Sequence, residues 1–254
     1  MYWQEMTTKT FADHAVGHMD TVLIPVGSVQ AHGLHLPLGS DSYVPEALCR
    51  RLEAHFPDRV LIAPTLAYGH SWGLARWPGT ISLSSRLVAA YASEVGEQLA
   101  GWGMRHVVFI NGHGGNIGPL TEAMERVAEV GSRAVLINWW IDFRDDILQV
   151  VTETGHASED ETSVMLAVRQ DLVRMGDAES NPYRLRRVLV ISEDLLDKAM
   201  RHAVAGNPKR GSREKGEAIL KTVEQRLVQL MEDVWADRLF EETRGTTDGS
   251  TENH

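Results

Sequence analysis

Cysteine is nearly absent: Cys49 is the single one in 254 residues, which excludes an intrachain disulfide and fits a reducing compartment. Its neighbours place it on a helix, where a lone thiol reads as a small buried apolar side chain rather than a nucleophile. No apolar run approaches the roughly 20 residues that span a bilayer. The first residues, Met1-Tyr2-Trp3-Gln4-Glu5-Met6, carry no basic stretch followed by an apolar one, so no signal peptide is expected. Positive charge is also scarce. With 25 Lys and Arg against 35 Asp and Glu the net charge is -10, and there is no basic run. Nucleic acid and anionic membranes are therefore not expected as partners. These absences together predict a soluble cytoplasmic protein.

What is present is ordinary globular material, 43% hydrophobic and 24% charged, with 22 glycines spread along the chain. A chain of this length can bury one sizeable core. Residues 1–240 are expected to form a single domain, and the polar tail 241–254 has nothing to bury and is expected to be disordered. Apolar runs at 21–26, 60–63, 107–110 and 134–137 read as buried strands, and 187–190 as a possible further one. Helical patterns follow from 44 to about 55, from Ser84 or Ser85 to 103, from 117, from 159, and from 214 to about 239. Strands alternating with helices predict an α/β fold, a three-layer α/β/α sandwich with a mainly parallel central sheet.

Chemistry-bearing residues gather where those strands should end. Gln30, His32, His35 and Asp41 lie within a dozen residues after the first strand, and so dense a polar group is expensive there unless something binds it. Imidazole and carboxylate are ligands that zinc, manganese and iron accept. The third strand runs into Asn111-Gly112-His113-Gly114-Gly115-Asn116. This is not a dinucleotide fingerprint, because the third glycine would fall at Ile117, and there is no phosphate-loop lysine. The glycines instead expose His113 at a strand's carboxyl end. Later, Gly155-His156 leads into a helix on which Glu159 and Thr162 share one face while Glu161 points elsewhere. The loop 67–80, with His70, Trp72 and Trp77, reads as a ligand wall. His14 and His18 read as surface residues, and His55 as a last-turn residue favourable to its helix dipole.

Four stretches carry a resemblance. They are Pro25-Val26-Gly27-Ser28-x-x-x-His32-Gly33-x-His35-Leu36-Pro37-Leu38-x-x-Asp41, Trp77-Pro78-Gly79-Thr80-x-Ser82-Leu83, the Asn111–Asn116 motif, and Gly155-His156-Ala157-x-Glu159-x-Glu161-Thr162-Ser163. In this order they resemble the creatininase (creatinine amidohydrolase) family over roughly residues 18 to 235. The resemblance implies a usually homo-oligomeric α/β/α hydrolase with one or two divalent metals (Zn, Mn or Fe) per chain. Its chemistry would be hydrolysis of a C–N bond in an amide, cyclic amide or formamide, with peptide cleavage in one branch. It implies His32 on one metal and His113 on the other, with Asp41 bridging. Glu159 would complete His32's metal, and His156 would donate a proton to the leaving nitrogen or hold the tetrahedral intermediate. His35 has no ligand role there and reads as a hydrogen-bonding support.

Two positions depart from the family pattern. Gln30 stands where the family has a glutamate ligand of His113's metal, which removes one negative charge. Gly73-Leu74 replaces a Glu-His pair near the substrate mouth. With Trp72, Trp77, Trp139 and Trp140 nearby, this predicts a more apolar pocket and argues against creatinine as substrate. The expected activity is metal-dependent hydrolysis of a small-molecule amide. The alternatives are a catalytically silent metal- or ligand-binding relative, or a family peptidase acting on a short peptide.

Overall fold

The computed structural model describes residues 1–183 and 192–240. The possible strand at 187–190 and the tail 241–254 lie outside the described residues. Four strands form one sheet: β1 (Thr21–Val26), β2 (Val60–Ile62), β3 (His106–Asn111) and β4 (Arg133–Asn138). All pairings are parallel and the spatial order is β2-β1-β3-β4. The predicted strands stand, with ends shifted by a residue.

Strand alternation divides the core in two. Val22, Ile24, Val107 and Phe109 point to one face, where they meet α3 (Ser85–Gly101) and α4 (Ile117–Glu129). Leu23, Val108, Ile110 and Ile137 point to the other, packing on α2 (Ser40–His55), α7 (Glu159–Arg169) and α9 (Arg213–Trp235). The result is the three-layer α/β/α sandwich, and period-two burial on both faces is why the strands read as continuous apolar runs. Smaller helices complete the described chain: α1 (Thr8–His14), α5 (Trp139–Asp142), α6 (Arg144–Ile147) and α8 (Glu193–Ala199). His14 and His18 are exposed, as expected. Two serines cap as their sequence contexts require: Ser84 accepts from Leu87 N at the start of α3, and Ser212 from Lys215 N at the start of α9.

The strand order positions everything that follows. From β1 the chain crosses over α2 to β2 on one side, and from β2 it crosses over α3 to β3 on the other. The carboxyl ends of β1 and β3 therefore flank the switch point, the crevice where open α/β sheets bind ligands. Helix α2 departs from expectation by starting at Ser40 rather than near Val44, which places Asp41 on its first turn. Pro45 has no N–H to give the Asp41 carbonyl four residues back, and the β3 end backs against that carbonyl: a Cβ on Gly112 would lie 2.0 Å from Asp41 O. Phe109 is among the largest fully buried side chains. Phe109→Ala is expected to lower stability by about 3–5 kcal/mol, read as a lower urea midpoint with unchanged slope.

Candidate metal centre

Four segments converge at the switch point. The loop after β1 brings Gln30 and His32, the first turn of α2 brings Asp41, the turn after β3 brings His113, and the entry to α7 brings His156 and Glu161. His32 Nε2 lies 2.8 Å from Asp41 Oδ1 and 3.9 Å from Glu161 Oε2. His156 Nδ1 is also 3.9 Å from Glu161 Oε2. His113 Nδ1 is 3.3 Å from Asp41 Oδ2. The Gln30 amide nitrogen donates to Asp41 Oδ2 at 2.5 Å and lies 2.8 Å from His113 Nδ1.

Each imidazole is anchored the same way. His32 Nδ1 donates to Gln30 O (3.1 Å), His113 Nε2 to His70 O (2.9 Å) and His156 Nε2 to Ala31 O (2.8 Å). A carbonyl can only accept, so it fixes the proton on that nitrogen and turns the other toward the carboxylates. This is how metal-binding histidines are oriented. The braces extend outward. Asn116 donates to Gly27 O and accepts from His70 N, joining the loops after β1 and β2, while Asn111 holds His113 N and Asn138.

Packed this closely, the ionisable groups shift one another. Burial opposes protonation of His32, yet Asp41 and Glu161 carry it up to about 9. Burial works against ionisation of Asp41 as well, but His32 and His113 hold it well below the usual carboxylate range. Burial, with Asp160 and Asp41 beside it, pushes Glu161 up to about 8 against the pull of His32. Burial and the charge of His32 push His156 down to about 3. Two ligand atoms sharing one ion at about 2.1 Å sit about 3.4 Å apart in a tetrahedral site. His32, His156 and Glu161 bring one ligand atom each to within 4.8 Å of one another, the one such group among the described residues. The donor chemistry and the spacing both fit a divalent metal.

Glu159 requires a correction, because it does not reach this cluster. Ala157 adopts a left-handed φ of 49°, and the turn it makes swings the first residue of α7 to the back. There Glu159, 0% exposed, accepts from Thr152 N (3.0 Å), Thr152 Oγ1 (2.6 Å) and Lys215 Nζ (2.6 Å). Its pKa is lowered, the Lys215 and Thr152 bonds outweighing burial. Glu161, two residues on, faces His32 instead, and Ala157 N donates to its Oε2 at 2.6 Å. The signal that could have found it is its place in the quoted Glu159-x-Glu161 motif. His35 is buried and bonds Thr162 Oγ1 at 2.8 Å, away from the cluster.

A cavity of about 440 Å³ opens onto Gln30, Asp41, His113, His156 and Glu161. His70, Trp72 and Trp140 line it, and so do Leu74, Leu196 and Met200. Trp77 and Trp139 do not. Trp77 packs on Ala31, Leu74 and Ala203, and Trp139 is buried in the core. Adjacent residues on a helix point about 100° apart, so Trp139 and Trp140 cannot both face the ligand.

Fold and site together describe a doubly wound α/β protein with an imidazole–carboxylate centre at its switch point, a form that suits hydrolysis. The family model for creatininase (creatinine amidohydrolase) matches residues 4–231. The chain belongs to the creatininase family. It is 27% identical over 242 residues to the creatinine amidohydrolase of Pseudomonas putida, covering 87% of this chain and 92% of that one. It is 38% identical over 112 residues to the mycofactocin precursor peptide peptidase of Mycobacterium tuberculosis (strain CDC 1551 / Oshkosh), covering 41% of this chain and 44% of that relative, so the aligned part spans less than half the peptidase. Among solved structures, a mutant creatininase of Zn-Zn type superposes with a TM-score of 0.83 at 27% identity, covering 92% of this chain and 97% of that one. A manganese creatininase superposes at 0.78, also at 27% identity, covering 92% and 98%.

The two acidic residues of α7 are separable by substitution. Glu161→Gln is expected to weaken divalent-metal binding at least ~10–100-fold with the fold retained, measured by calorimetric titration. Lys215→Met leaves Glu159 buried without its cation. It should lower stability by roughly 2 kcal/mol, less than for a fully buried pair because Lys215 reaches solvent, and leave metal affinity within a few-fold.

Proposed function

We propose that this chain is a divalent-metal-dependent amidohydrolase that cleaves a C–N bond of a small amide, cyclic amide or formamide. The observation that carries the reading is the convergence of His32, Asp41 and Glu161 beside His156, each imidazole turned inward by a backbone carbonyl, at the floor of an open cavity. His32, Asp41 and Glu161 would hold the metal. When bound, such an ion supplies Lewis acidity, polarising an amide carbonyl and acidifying water to near neutrality.

The remaining chemistry falls to the chain's own groups. His156 keeps its Nε2 proton on Ala31 O, so Nδ1 carries the lone pair at the cavity floor. From there it can take a proton from the attacking water and return it to the leaving nitrogen, a role typically worth ~10²–10⁴ in rate. A ring that is neutral at rest starts that cycle in the right form. Trp72, Trp140, Leu196 and Met200 give the cavity apolar walls, which favour an amide carrying an apolar group over creatinine.

A short peptide is the second reading. Its support is the 38% identity to a mycofactocin precursor peptide peptidase together with the apolar wall, half-exposed at Trp72. A screen of zinc- or manganese-loaded protein against lactams, formamides, hydantoin-like rings and short peptides tests both. Turnover of a non-peptide amide, lost in His156→Ala, is the expected result. Turnover of peptides alone would move the assignment to the peptidase reading. No turnover together with tight metal binding would favour a silent binding protein.

A further inference from the structure

The Gln30 carboxamide sits between two groups that would otherwise be free to hold a cation. Its nitrogen donates one hydrogen to Asp41 Oδ2 (2.5 Å) and the other to His113 Nδ1 (2.8 Å). His113 Nδ1 is the acceptor in that bond because the ring's proton is already committed at Nε2 to His70 O. Both ring nitrogens of His113 are thus satisfied inside the protein. The orientation of the amide follows from its surroundings: reversed, Oε1 would lie 2.5 Å from the Asp41 carboxylate oxygen, oxygen against oxygen. Only that reversal would offer Oε1 to an ion at His113, and it would break both hydrogen bonds.

Charge points the same way. Asp41 and Glu161 are the two carboxylates facing the cluster, since Glu159 is committed to Lys215. One divalent ion neutralises them. A second would leave two positive charges among side chains that are 0–5% exposed at Gln30, His32 and Asp41, at a desolvation cost with no ligand charge to offset it. Nor can the turn after β3 supply another ligand, because a side chain at Gly115 would begin 1.9 Å from His70 O and 2.7 Å from His113 Nε2.

We propose that the Gln30 carboxamide takes the place of a second cation, bridging Asp41 and His113 through its two N–H donors, so that the site holds a single divalent ion on the His32 side. This rests on the metal-dependent reading above and specifies its stoichiometry. The bridge also leaves Gln30 Oε1 buried without a protein partner, an acceptor available to a water or a substrate N–H.

The test is a count with Mn²⁺ as the probe. The full chain is stripped with chelator, reloaded with excess Mn²⁺ and dialysed, then measured by elemental analysis and electron paramagnetic resonance. The expected result is one Mn²⁺ per chain with the six-line signal of an isolated ion, rising in Gln30→Glu to two per chain with a spin-coupled signal. Two ions in the unaltered chain would overturn the proposal, as would a Gln30→Glu variant that folds and stays at one. If Gln30→Glu does not fold, the count in the unaltered chain decides, one supporting and two overturning. No bound Mn²⁺ and no Zn²⁺ in its place would instead remove the metal-dependent reading on which this rests.

Discussion

Asp41 is a carboxylate 5% exposed, and a charge so deeply buried persists only where its surroundings compensate it. The compensation comes from three places in the chain. The start of α2 offers its helix N-terminus, the loop after β1 offers His32 and the Gln30 amide, and the turn after β3 offers His113, whose Nδ1 accepts the second Gln30 hydrogen. The last of these is adjacent to the other two only through the sheet. The parallel register that sets Val26 beside Asn111 is what brings the two strand ends, and so these groups, to one carboxylate. Stability and site geometry are therefore the same arrangement viewed twice.

Around this centre the polar side chains of the loops act as struts. Asn116 ties the β1 and β2 loops together, Ala31 N donates to Thr80 Oγ1, and the Glu159–Lys215–Thr152 cluster pins the entry of α7 to α9. Loops are ordinarily the mobile part of an α/β protein. Here they are cross-linked by buried hydrogen bonds, so the three imidazoles are aimed before any ligand arrives. That preorganisation is what electrostatic catalysis requires, because groups already in place need not reorganise during reaction. The apolar side of the cavity is formed by Trp140, Leu196 and Met200, and Asn181 bonds the carbonyls of Lys198, Ala199 and Val204 at the end of α8.

Much of this was legible in the chain itself. The strands could be read because both faces of the sheet are covered, which makes each an unbroken apolar run. His32, Asp41, His113 and His156 could be read because each lies near glycine at the end of a strand or in a loop. What could not be read was direction. Glu159 and Glu161 stand two residues apart on α7, about 200° around the helix. Which of them faces the site depends on the entry turn, and that turn is made by Ala157 with φ 49°, a conformation that nothing about alanine announces. Trp139 and Trp140 present the same ambiguity, resolved by the packing of one into the core. The early start of α2 at Ser40 was hidden by Pro45, which reads as a first-turn residue yet lies on the second turn. It is tolerated there because the Asp41 carbonyl it leaves free faces the β3 end.

The proposed centre gathers His32, Asp41 and Glu161 onto one ion at the switch point while Glu159 remains with Lys215. Anomalous diffraction at the zinc edge from crystals of the zinc-loaded protein addresses it most directly. The predicted result is a single peak within bonding distance of His32, Asp41 and Glu161, with Glu159 still paired to Lys215. A peak bonded to Glu159, or density at the switch point that leaves Glu161 unbonded, would contradict it.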